Sequence, residues 1–360
     1  MIRKMTQERS LGRSMLKRAA ALAVAVAACL AAADTCRAID SIKLKSGKEL
    51  AGKIFKISPH TVILQSNAGV DREVPVNEIS YIKYEGEPSS LRTAKDAVAG
   101  GRYEDALEAL ARVKSDGLTP TMKQDLDFYN AVCAAELALV GRGDMKKAGS
   151  AMIGFVRNNG KSYHYLEACE IVGDLLAAIG RYEMASPYYK QVAAAPWPDY
   201  KMRAGVAIGK SLLAQGKTAE AKAAFEKVTS TPASGDAAQV QILNANLGLA
   251  RCLAAEGKDK EAITLVEKVI SKADGEQKQL HAVAYNTLGA AHLKAGRDKE
   301  ALMAYLHVDL LYFTDPAAHA EALANLAKLW EKLRKTERAA KARSILNTQY
   351  RNSRWAKQGG

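Results

Sequence analysis

Between Ile39 and Tyr84 apolar and polar residues alternate with a period of two, the pattern of half-buried strands. Ile42 and Leu44 alternate with Lys43 and Lys45, and Ser46-Gly47-Lys48 reads as a hairpin turn. A second strand follows through Leu50, Ile54 and Ile57, with Gly52 placed to let it bend. Ser58-Pro59-His60 turns the chain into Val62-Ile63-Leu64, and Ser66-Asn67-Ala68-Gly69 turns it into a strand from Val70 to Val74. A 3₁₀ turn over Pro75–Ile79 precedes a last strand with Tyr81, Ile82 and Tyr84, giving five strands. Glu85-Gly86-Glu87-Pro88 then reads as a linker, because Gly loosens the chain and Pro stops the strand.

From about residue 90 the period becomes helical and a longer repeat emerges. Six times a Gly is followed five residues later by an Ala: Gly101/Ala106, Gly143/Ala148, Gly180/Ala185, Gly216/Ala221, Gly257/Ala262 and Gly296/Ala301. A seventh copy puts Arg334 and Ala339 in those places. Seven residues before the Gly stands another small residue, Ala94, Gly173, Gly209, Ala250 or Gly289, with Glu136 breaking the rule in the second copy. Two antiparallel helices need small residues where they touch most closely and a Gly to turn between them. Tyr189 with Val192, Phe225 with Val228, and Tyr305 with Val308 then fill the core from the second helix of each pair.

On these residues the chain resembles the tetratricopeptide repeat. Gly180-Arg181-Tyr182-Glu183-Met184-Ala185, Leu288-Gly289 with Gly296-Arg297-Asp298-Lys299-Glu300-Ala301-Leu302, and Gly101-Arg102-Tyr103-Glu104-Asp105-Ala106-Leu107 carry the likeness. Copies two and seven depart from it. The resemblance implies a mainly α solenoid of about seven helical hairpins over residues 88–356, with a concave inner face lined by the first helix of each pair. An extended peptide is the guest it implies. The strands of residues 39–86 resemble a small SH3-like or Sm-like barrel, too small to stand without its neighbour.

At the amino terminus Arg3, Lys4, Arg9, Arg13, Lys17 and Arg18 precede an apolar run from Ala19 to Ala33 with no polar face. A basic stretch, a short apolar run and small residues at Ala31/Ala33 or Cys36/Ala38 make residues 1–38 a signal peptide. Val26-Ala27-Ala28-Cys29 is also a weak match to a lipid-attachment site at Cys29. The whole arrangement resembles bacterial exported repeat proteins, which implies a periplasmic or envelope location and no transmembrane span in the mature chain.

The net charge of +13 would suggest an anionic partner, but it sits at the ends: residues 1–18 carry +5 and residues 331–360 carry +7. A body close to neutral disfavours nucleic acid. The basic C-terminus, ending in the tail at 357–360, keeps open an anionic envelope surface or polymer, with the β module as a second contact. Chemistry finds no foothold. The six His include no pair at i, i+4, and there is no His-Glu-x-x-His, Gly-x-Ser-x-Gly or phosphate-cradling loop. Cys133, Cys169 and Cys252 stand at apolar spacing as small hydrophobes, and His292 reads as a satisfied core residue. No metal, cofactor or catalytic group is expected.

Helical counting places Glu167, Glu170 and Asp174, then Arg203 and Lys210, then Asn244 and Arg251, and finally Asn286 on the inner face. An acidic stretch followed by a basic, amide-rich one would hold a peptide in one direction. At the C-terminus Arg343 replaces an apolar residue, so that face is expected to meet water and cap the array.

Overall fold

The computed structural model describes residues 39–66 and 69–358, so the export segment and Cys29 lie outside the described residues. Six short strands come first: β1 Ser41–Leu44, β2 Glu49–Ala51, β3 Lys53–Ile57, β4 Thr61–Gln65, β5 Asp71–Pro75 and β6 Ile79–Lys83, with a 3₁₀ turn Val76–Glu78 before β6. They form two antiparallel sheets, β2-β1-β6 and β3-β4-β5. The expected second strand is split into β2 and β3 at Gly52. A Cβ there would lie 2.5 Å from the Gln65 carbonyl oxygen, so only Gly lets the strand cross from one sheet to the other.

The strands do not end in a separate core. Ile42, Val62, Tyr81 and Ile82 join one apolar cluster with Leu91 and Ala94 of α1 (Ser89–Ala99) and Met122 and Phe128 of α3 (Pro120–Leu139). Polar groups reinforce that joint. Asp96 accepts hydrogen bonds from the Tyr81 hydroxyl and from Lys43 Nζ, the latter at 3.3 Å.

Helical hairpins fill the rest of the described chain: α1 with α2 (Tyr103–Ala111), α3 with α4 (Met145–Asn158), α5 (Tyr165–Ala178) with α6 (Tyr182–Ala193), and α7 (Pro198–Ala214) with α8 (Thr218–Thr229). Next come α9 (Asp236–Ala255) with α10 (Asp259–Lys272), α11 (Lys278–Lys294) with α12 (Asp298–Leu311), and α13 (Pro316–Lys332) with α14 (Thr336–Gln349). The short α15 (Arg354–Gln358) follows. Odd-numbered helices pack side by side along one face from α3 to α13. This is a solenoid of the tetratricopeptide-repeat type with a small N-terminal β region.

Each hairpin turns the same way. A Gly with φ near +75° follows the first helix at positions 101, 180, 216, 257 and 296. The next residue then donates its N–H to a carbonyl five positions back, as Arg181 does to Leu176 at 2.8 Å. In the seventh pair Arg334 takes the same left-handed conformation with φ 56°, the one non-Gly residue among those described to do so.

The second pair corrects the expected register. Its left-handed residue is Gly141, not Gly143, and Arg142 N–H bonds Leu137 O at 2.8 Å. Seven residues earlier stands Ala134, so the small-residue rule holds and Glu136 breaks nothing. The turn is longer because Asp144 caps α4, accepting from the N–H groups of Lys146 and Lys147.

The small residues do what close packing requires. A Cβ on Gly173 would meet the Tyr189 ring, one on Gly289 the Tyr305 ring, and one on Gly209 the Phe225 ring at 2.6 Å. Cys133, Cys169 and Cys252 are buried. His292 is buried too, but its Nδ1 has no partner, so it is not the satisfied core residue expected. Ala221 is fully buried among Met202, Val206 and Phe225. Ala221→Leu should overfill that crossing and destabilise the chain by about 1–3 kcal/mol, read as a lower midpoint in urea.

The C-terminal end is closed rather than bare. Arg343 is half exposed and pairs with Glu331 at 2.5 Å, while Trp355 of α15 packs on the last apolar cluster. No described helix is long and apolar enough to cross a membrane.

Candidate functional site

The inner face is set by helical arithmetic from the turn. Six residues before the left-handed Gly stand Asp174, Lys210 and Arg251; thirteen before it stand Glu167, Arg203 and Asn244. Two turns of helix separate the positions, so both project from the same side of α5, α7 and α9.

Glu167, Glu170 and Asp174 lie together on α5, but Arg203, expected to belong to the basic stretch, pairs with that acidic group instead. Arg203 Nη2 lies 2.8 Å from Glu170 Oε2, and its guanidinium sits 4.3 Å above the Tyr200 ring. The Tyr189 hydroxyl donates to Asp174 Oδ1 at 2.8 Å, and His164 Nδ1 lies 3.8 Å from Glu167 Oε2. Arg251 Nε donates to the Thr287 hydroxyl at 3.1 Å, and its Nη2 is 3.9 Å from Glu321 of α13. Lys210 is exposed, and among the described residues it has no ion-pair or hydrogen-bond partner.

Two expected members are otherwise engaged. Asn244 Nδ2 donates to Val240 O of its own helix at 3.1 Å. Asn286 is buried rather than open to the groove, and its Nδ2 donates to Ala318 O at 2.9 Å, bracing α11 against α13. Its position, four residues from the turn-set register, places it between the two helices.

These side chains touch water but lie inside a curve of helices that crowds them, and their ionisation responds. Burial, with Asp174 and Glu167 nearby, pushes Glu170 up to about 7 despite Arg203. Burial and the same two neighbours push Glu136 of α3 up to about 7. Asp174 is raised by burial. Glu167 moves the other way: burial opposes its charge, but His164, Arg203 and Lys45 together outweigh that and lower its pKa. Burial and the Arg251 charge lower Lys210. The groove thus holds an acidic half, where added negative charge is resisted, and a cationic half at Lys210 and Arg251.

Sequence reasoning missed three members. Glu136 was hidden by the Gly143 register; counted from Gly141 it adjoins the inner-face position. Glu321 stands thirteen residues before Arg334, the same place as Glu167 and Arg203, and was findable by that count. Lys45, at the β1–β2 turn, gave no signal. Burial and Arg203 lower its pKa, while Glu167, Asp199 and Glu170 act on it with opposite sign. The β region therefore reaches across to the α7 end. There His60 meets the Trp197 ring edge-on at 5.9 Å, and a cavity of about 590 Å³ separates Lys45 and Asn77 from Asp199 and Asp236. Trp197 is accordingly a packing residue between the β region and α7.

No group of His, Cys, Asp and Glu among the described residues could hold a metal ion.

Comparison with known proteins places this geometry. The tetratricopeptide repeat family matches residues 203–233, which hold most of α7 and all of α8. No curated protein matches the chain. A tetratricopeptide repeat protein from Parabacteroides merdae is similar in structure, with a TM-score of 0.51 at 17% identity over 75% of this chain and 95% of that one. A Rap protein, solved in complex with competence and sporulation factor, is similar with a TM-score of 0.52 at 13% identity over 75% of each chain. At these identities the likeness is one of fold.

Proposed function

We propose that the chain is an exported, non-enzymatic scaffold that holds an extended peptide or protein segment along its inner face. The observation that carries this reading is Lys210: an exposed cation beside Arg251, with no partner among the described residues, inside a groove whose other charges are largely paired. A guest carboxylate is the natural complement, and the acidic half with Glu136 and Glu170 suits the guest's cationic end. One of the two similar folds was solved with a bound factor, which agrees with a solenoid built to hold a guest. Export rests on the basic and apolar pattern of residues 3–33.

The basic C-terminus supports an anionic surface or polymer less well. Arg343 is paired with Glu331, Arg338 lies 4.8 Å above the Trp330 ring, and Arg354 lies 4.6 Å above Trp355. In the β region Tyr81 and Tyr84 are buried, which leaves Phe55 as its exposed aromatic ring.

Lys210→Glu tests the reading. Lys210 holds nothing in place, so the variant should melt like the parent. Capture of an envelope protein or peptide should weaken by about 2 kcal/mol or more, measured by binding to the immobilised chain. Unchanged capture would defeat the assignment. Mass spectrometry of the secreted chain should find its first residue just after Ala33 or Ala38, or a lipid on Cys29; retention of residues 1–38 would defeat export.

A further inference from the structure

The α3–α4 turn differs from its counterparts. The left-handed glycines of the other turns, at 101, 180, 216, 257 and 296, face open space, with nothing within 4 Å of a Cβ built there. Gly141 is buried. A Cβ on it would lie 3.1 Å from the Ser353 backbone nitrogen and within 3.7 Å of Asn352. Those atoms belong to the far end of the array, more than two hundred residues away in the chain.

That end is firmly held. The Tyr350 hydroxyl lies 2.8 Å from His319 Nδ1, and His319 Nε2 lies 2.8 Å from Asp309 Oδ1, so α12, α13 and the last turn are tied together. Ser353 N–H donates to Tyr350 O at 2.8 Å, and Trp355 packs on α13 and α14. Arg142 also lies close enough for its charge to act on the Tyr350 hydroxyl. Independently, the Arg251–Glu321 pair joins α9 to α13 past α11, and Asp315, which caps α13, acts on Lys210 of α7. Both show the inner face winding tightly.

We infer that the array closes on itself, the Asn352–Ser353 turn seated on the α3–α4 turn. The guest is then a polypeptide with a free end that threads the enclosed inner face, not an internal loop of a folded partner. The inference rests on the peptide-binding reading and adds the class of guest. A loop carries folded protein at both of its ends, and a closed wall offers no side through which to lay it in. Steric exclusion of that kind discriminates without any change in the contacts inside the groove.

Two measurements test it with the full chain. First, with Cys29 and Cys36 replaced by Ser, Arg142→Cys with Asn352→Cys should be joined within one molecule by a short bis-maleimide, because the other native cysteines, Cys133, Cys169 and Cys252, are buried. Absence of the intramolecular link, with both thiols separately labelled, overturns the closure. Second, a pool of random linear octapeptides and the same pool displayed as loops of a folded carrier are each passed over the immobilised chain. Linear peptides should be retained at least about tenfold better than loops. Equal retention overturns the inference and leaves the peptide reading intact. Retention of neither pool, with the cross-link formed, defeats the peptide reading and the guest class together.

Discussion

Lys95→Met should destabilise the protein by about 3–5 kcal/mol, the largest single effect expected outside the solenoid core. Lys95 is fully buried, and its ammonium reaches Glu87 Oε1 at 2.6 Å, Asp125 Oδ2 at 2.7 Å and the Ile82 carbonyl at 2.7 Å. It also sits 4.8 Å over the Tyr84 ring. Glu87 belongs to the linker, Lys95 to α1 and Asp125 to α3, so one cation fastens the β region to the first two hairpins. Methionine matches its length but leaves two buried carboxylates facing each other. Glu87 is already raised by burial, with Lys95 opposing the shift. The measurement is urea unfolding. A loss below about 1 kcal/mol would show that the joint does not depend on this charge.

The same cluster predicts how stability varies with pH. His164 is buried, stacked 3.6 Å from the Phe128 ring centre, with Nε2 3.4 Å from Asp125 Oδ1. Burial opposes its positive charge, but the neighbouring carboxylates of Asp125 and Glu167 together outweigh burial and raise its pKa above the ordinary 6.5. With Lys95 and a protonated His164 set against Glu87 and Asp125, the buried charges balance. A raised folded-state pKa contributes stability that is complete below about 6.5 and is lost as pH rises through the folded value. His164→Gln should flatten the stability profile above neutral pH. A profile identical to the parent's would remove His164 from this account.

Phe225→Ala should cost about 3–5 kcal/mol, and the cost should fall when neighbouring glycines are enlarged. The Phe225 ring is held between Gly209 of α7 and Gly248 of α9, each of which would place a Cβ well inside 3 Å of it. Pinned from both sides, the ring cannot retreat. Gly248→Ala alone should therefore destabilise by about 1–3 kcal/mol, although alanine suits a helix better than glycine by about 1 kcal/mol. In the Phe225→Ala background the clash is gone and only the helical gain remains, so Gly248→Ala should stabilise. A double-mutant cycle showing simple additivity would mean that the ring and the glycine do not oppose each other.

This sandwich also shows why so much of the solenoid was legible. Gly173, Gly209 and Gly289 recur at one distance before the turn because a ring from the second helix fills the space a side chain would take. Such steric rules leave a regular trace in sequence. Where a second glycine stood nearby, as Gly143 does beside Gly141, the trace misled, and Glu136 was lost from the inner face with it. The bend at Gly52 was readable for the same steric reason, but not that it would divide one expected strand between two sheets.

The charged cluster left no trace. Lys95, Asp125 and His164 look like ordinary polar residues on helices, and their burial comes from α1, α3 and the start of α5 converging beneath the β region. Asn286 failed for a related cause: helical counting gives a direction, but α13 lies in that direction and covers the side chain. Lys45 entered the groove through the placement of the β region over α7, which no local pattern encodes. Contacts between distant elements are the part that spacing rules cannot supply.

The central claim is that the inner face, between the acidic cluster and Lys210, receives the guest. A photoreactive residue placed at Ala207, between Arg203 and Lys210 on α7, tests it most directly against one placed at Glu226 on the outer helix α8. Irradiation of the chain with its captured partner should give a cross-link from position 207 and none from position 226. Cross-linking from position 226 with position 207 silent would contradict the account.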